Sequence, residues 1–116
     1  MTGQTVYEKA LISLGYSKNT VTLDKAIVVI NQIYDELFDA AEVKEYKLIK
    51  SLANEINLPE RKFLNAMTYG VAERLALGEG DGELQQYFYA MFQKAKARLT
   101  RFESVMNVLP TGDDEE

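Results

Sequence analysis

Residues 69–92, YGVAERLALGEGDGELQQYFYAMF, decide how this chain folds. Upstream of Gly78, Phe63, Leu64, Met67, Val71 and Leu75 recur at helical spacing, and downstream Leu84, Phe88, Met91, Ala95, Leu99 and Phe102 do the same. Between the two runs lie Gly78, Gly80 and Gly82, with Asp81 placed to cap a new helix. The stretch therefore predicts an antiparallel helical hairpin, with helices over 59–77 and 82–104 and Gly78 as the stop of the first. Tyr87 and Phe92 widen the inner face of the second helix. Gly70 interrupts the first, at a cost of about 1 kcal/mol relative to alanine. Close approach of another backbone would offset that cost, with Ala66 and Ala76 completing a lean side. Two readings of that side stay open: packing inside one subunit, or contact with another subunit.

Moving toward the N-terminus, Pro59 suits the first turn of a helix, where its missing N–H costs nothing, and Glu60 suits the helix dipole. Val6, Ala10, Leu11 and Leu14, closed by Gly15, predict a short helix over 4–14. Thr22 or Asp24 can cap the next, over 23–41, whose apolar stripe is Ile27, Ile30, Tyr34, Leu37 and Ala41. That stripe persists too long for the run IVVI to be a strand. Residues 42–58 are mixed. Leu48, Ile49, Leu52, Ile56 and Leu58 fit either a helix over 45–54 or an irregular segment laid across the helices. The fold class expected is mainly all-α, a bundle of about four helices with one irregular or extended crossing segment and a C-terminal arm. Residues 1–110 form a single domain, with the arm at 102–110, and 111–116 form an acidic, disordered tail.

The 116 residues are 47% hydrophobic and 27% charged, ordinary for one globular domain. Formal net charge is −5, but Asp113–Glu116 carry most of it and the rest stands near −1. No stretch approaches the roughly 20 apolar residues of a membrane span, and MTGQTVYEKAL does not read as a secretory leader. Histidine, cysteine and tryptophan are absent. Thiol nucleophiles, disulfides, cysteine or histidine metal sites and imidazole acid–base pairs are thereby excluded. Asp35, Glu36 and Asp39 could support only carboxylate chemistry and read as a solvated helix face. GEGDG lacks the Lys-Ser/Thr ending of a phosphate loop and reads as a turn. The expectation is a protein that is not an enzyme, with no cofactor and no metal. Lys94, Lys96, Arg98 and Arg101 make the last helix basic, with Lys94, Arg98 and Arg101 on one side. Phosphate contact, a protein partner and a solvated strip all fit that pattern.

The piece LPERKFLNAMTYGVAERLA, followed by a glycine–aspartate turn and a basic, aromatic-rich helix, resembles the small head–tail connector (adaptor or head-completion) proteins of tailed bacteriophages and prophages. YEKALISLGY and AIVVINQIYDELF extend the resemblance over roughly residues 5 to 110. It implies a virion assembly protein at the head–tail junction, made in the bacterial cytoplasm. Copies would form a ring beneath the portal, a tail or stopper protein would attach below, and DNA would pass through without sequence-specific contact. The hairpin would build the subunit, and RFESVMNVLP would be an arm docking on a neighbour. The acidic run DDEE has no counterpart in that pattern. Interface residues expected are Gly70, Lys94, Arg98, Arg101, Val105, Val108 and Leu109. The alternative is a small helical binding module, a regulator or chaperone, acting as monomer or dimer.

Overall fold

In the computed structural model, the backbone is described for residues 1–108 and side chains for residues 1–99. Four helices follow in order: α1 (Gly3–Leu14), α2 (Leu23–Phe38), α3 (Glu60–Gly78) and α4 (Gly82–Val108). Thr2 caps α1 by accepting the Thr5 N–H, and Thr22, not Asp24, caps α2 by accepting that of Lys25. Pro59 lies one position earlier than expected, as the extended residue before α3. Asp81 caps α4 by accepting the Leu84 N–H at 3.3 Å.

The turn between α3 and α4 is a Schellman closure, with Gly80 N–H on Leu77 O at 3.1 Å and Asp81 N–H on Ala76 O at 3.0 Å. Its left-handed residue is Gly80, at φ 74°, whereas Gly78 is still helical. Gly78 is the last helical residue, and the left-handed cap expected of it falls two residues later. Gly15, at φ 73°, closes α1 in the same way.

Helix α3 is the centre of the bundle and packs against the other three. Its buried residues, among them Phe63, Met67, Val71, Ala72, Leu75 and Ala76, surround the whole circumference. A helix enclosed on every side needs small residues where its neighbours come closest. At Gly70 the neighbours are side chains. A Cβ there would lie 2.8 Å from Ile33 Cγ2 and 2.9 Å from Phe92 Cε1. Gly70 is thus filled from within the subunit, which overturns its expected place at an interface and the idea of a neighbouring backbone. The close backbone approach occurs at Gly3, where a Cβ would meet Leu52 Cα at 3.3 Å and Ile49 Cδ1 at 2.7 Å.

Between α2 and α3 the chain is irregular, so the helical alternative for 45–54 falls. Ile49, Leu52, Ile56 and Leu58 are buried, while Leu48 is turned outward. Side chains of α2 satisfy this segment's backbone. Asn31 donates to Ile49 O at 2.9 Å and accepts the Ile49 N–H at 3.0 Å. The buried Tyr34 hydroxyl accepts the N–H groups of Lys47 and Asn57, at 3.3 and 3.2 Å. Rings of Tyr34, Phe38 and Tyr46 pack together above this contact. The other side is held by the start of the chain: Gly3 N–H on Asn54 O, Gln4 N–H on Leu52 O and Ile56 N–H on Met1 O, at 3.1, 2.8 and 2.8 Å.

Over its described side chains, residues 82–99, α4 is covered on one stripe, by Phe88, Phe92 and Leu99 with Leu84 and Ala95 beside them. Tyr87 was expected to widen that stripe but is exposed, because it falls on the far side of the helix from Phe92. At 1.5 Å per residue, α4 spans about 40 Å against about 28 Å for α3 and overruns it by about 12 Å. The backbone of 102–108 continues the helix, and residues 109–110 of the expected arm lie outside the described residues.

Candidate protein-interaction surface

Two polar arrangements and one exposed helix surface stand out among the described residues. The first joins three helices. Glu73, buried on α3, accepts Arg74 Nε at 3.1 Å and Gln85 Nε2 at 2.7 Å. Arg74 continues to Glu36 Oε1 at 3.1 Å and Gln32 Oε1 at 3.3 Å, and Lys96 reaches Glu36 Oε2 at 2.6 Å. Every carboxylate oxygen of Glu36 and Glu73 has a cationic or amide donor, so the set fastens α4 and α2 to α3 and offers no unoccupied base. Lys96, expected in the basic strip, is spent here, with its ammonium also 4.9 Å from the Phe92 ring centre. Asp35 and Asp39 are exposed, as a solvated face requires. Among the described residues no group of acids is arranged to hold a metal ion, and no helix is long and apolar enough to cross a membrane.

The second arrangement is a groove between the start of α3 and the middle of α4, lined by Arg61, Lys62, Asn65, Ala66, Ala95, Arg98 and Leu99. Of the expected interface residues, Arg98 lies in it, and Lys94 is exposed elsewhere on α4. The side chains of Arg101, Val105 and Val108, and all of Leu109, lie outside the described residues. Arg61, Lys62 and Asn65 escaped the sequence reading because they precede the hairpin turn by many residues. The signal was present: an antiparallel hairpin turning at 79–81 brings residue 98 opposite residue 62.

The exposed surface is that of α4 away from its buried stripe, where Tyr87 on one flank and Tyr89 on the other are 58% and 51% exposed. Tyr87 packs edge-on against Phe88 at 5.0 Å between ring centres, which holds its ring against the helix with one side open. Tyr16 and Tyr46 lie at other edges of the bundle, both with hydroxyl pKa values raised. For Tyr16 the causes are burial and then the Asp81 carboxylate, to which it donates at 3.4 Å; for Tyr46 they are burial and then Asp35. Exposed tyrosines held against the helix suit recognition of another protein surface. No family model, no curated protein and no solved structure matches this chain.

Proposed function

We propose that this chain is a non-enzymatic assembly subunit of the head–tail neck of a tailed bacteriophage. Several copies surround the DNA channel beneath the portal, with a tail or stopper protein below. The observation that carries the assembly reading is the one-sided burial of α4 over residues 82–99, which leaves Tyr87 and Tyr89 exposed on its two flanks while the stripe between them fixes the helix to the bundle. Tyrosine is among the residues that supply most binding energy at protein interfaces. The assignment of the assembly to a phage neck rests on the resemblance carried by LPERKFLNAMTYGVAERLA and the basic helix after it.

The test is incorporation into portal-containing particles, followed by imaging of the vertex. Wild-type chain should form a ring there. Tyr87→Glu with Tyr89→Glu should abolish incorporation while shifting subunit stability by no more than about 0.5 kcal/mol, the usual range for surface changes. A chain that stays monomeric or dimeric and never joins such particles overturns the phage reading and leaves the helical binding module.

A further inference from the structure

Several cations among the described residues already have acids. Lys25 pairs with Glu79, Arg74 with Glu36 and Glu73, Lys96 with Glu36, and the Met1 amine with Glu55 and Glu60. Arg61 and Arg98, on facing walls of the α3–α4 groove, have no carboxylate partner among the described residues. Lys62 and the Asn65 amide line the same groove, whose floor is Ala66, Ala95 and Leu99. Arg61 and Lys62 also occupy the first turn of α3, where the helix dipole adds positive potential. The acid of that turn, Glu60, is drawn to the Met1 amine at 3.0 Å. Among the described residues the lining therefore holds Arg61, Arg98, the Asn65 amide and Lys62, which has a contact of its own, and no acid.

We propose that this groove binds the acidic run Asp113–Glu116 of the same chain. Charge complementarity is one argument, because these four consecutive acids carry most of the net charge of −5. Reach is the other. From Arg98 to Val108 the helix runs about 15 Å. From Val108, extended chain covers about 16–18 Å to Asp113 and about 26–29 Å to Glu116. The acids therefore span the distance back to the groove, with Pro110 and Gly112 in the connecting stretch. A tether this short gives a local concentration in the millimolar range, which favours the chain's own acids over those of a second copy in dilute solution. This inference is independent of the phage reading.

Zero-length carbodiimide coupling of the full chain tests it, with Lys62 as the amine. An equal mixture of 14N- and 15N-labelled protein separates coupling within a chain from coupling between copies. The expected product joins Lys62 to Asp113–Glu116, located by fragmentation, in isotopically pure pairs. Its yield should fall about fivefold at 500 mM salt, where screening is strong, and similarly in Arg61→Glu/Arg98→Glu. Coupling to Glu103 alone, isotopically mixed pairs at the level of random exchange, or a yield indifferent to the two charge reversals would each overturn the proposal. A second reading leaves the bundle untouched: Asp113→Asn/Asp114→Asn/Glu115→Gln/Glu116→Gln should shift the Asn65 side-chain amide resonances. Unmoved resonances would also sink it.

Discussion

Gly70 shows how a single missing Cβ organises the bundle. Ile33 is fully buried and Phe92 is 1% exposed, so neither neighbour has room to retreat. Ile33 Cγ2 belongs to a β-branched side chain whose χ1 is stiff in a helix. Gly70→Ala should therefore destabilise, because overpacking at about 1–3 kcal/mol exceeds the gain of about 1 kcal/mol in helix propensity. Urea midpoints give the check, and Gly70→Ala should cost less in an Ile33→Ala background, where the clashing methyl is gone. An equally stable Gly70→Ala would contradict the packing described. The cost of Gly70 was legible in the sequence, but what occupied its space was not. Nor could the sequence distinguish Gly78 from Gly80. Only the position where the helix closes on Ala76 O and Leu77 O decides which glycine needs the left-handed backbone.

At the scale of elements, the helices were legible because each buries a stripe punctuated by a cap or glycine. The crossing segment was not, because its backbone partners are side chains of a helix elsewhere in the chain. Asn31 acts as a strand would, giving and receiving one bond at Ile49. Tyr34→Phe keeps the ring in the core and removes the acceptor for Lys47 and Asn57. The expected cost is about 0.5–1.5 kcal/mol for each of the two hydrogen bonds lost. Hydrogen exchange should quicken at the Lys47 and Asn57 amides while the α3 amides remain protected. Uniform acceleration through α3 would show that the segment and the bundle open together. The basic groove was half legible for a related reason: Arg98 belongs to a visible basic strip, whereas Arg61 joins it only through the hairpin.

For the whole molecule, pH acts through groups that tie its edges together. Burial lowers the Met1 amine pKa, but Glu60 and Glu55 outweigh it and raise the value above 8.0. Its contribution is complete below pH 8 and is lost as pH rises through the raised folded value. Tyr16 and Tyr46 are raised above 10.0, so their contribution is complete below pH 10 and declines above it. Melting temperature should thus fall in two alkaline stages. Tyr16→Phe/Tyr46→Phe should flatten the second and leave the first in place. A double variant that declines as steeply as wild type would refute that assignment.

The way residues 42–58 cross the bundle makes them a seam. On one side lie α1 and α2, on the other α3 and α4, and the core of α3 is completed only by both halves. Lys44, Lys47 and Lys50 sit exposed along this seam. A chain severed at Lys44, before the residues that Asn31 and Tyr34 hold, would leave two fragments with unfinished cores that match one another. Their cheapest way to bury that surface is to find each other again. The fold thus carries its own point of division for a split, self-reassembling pair.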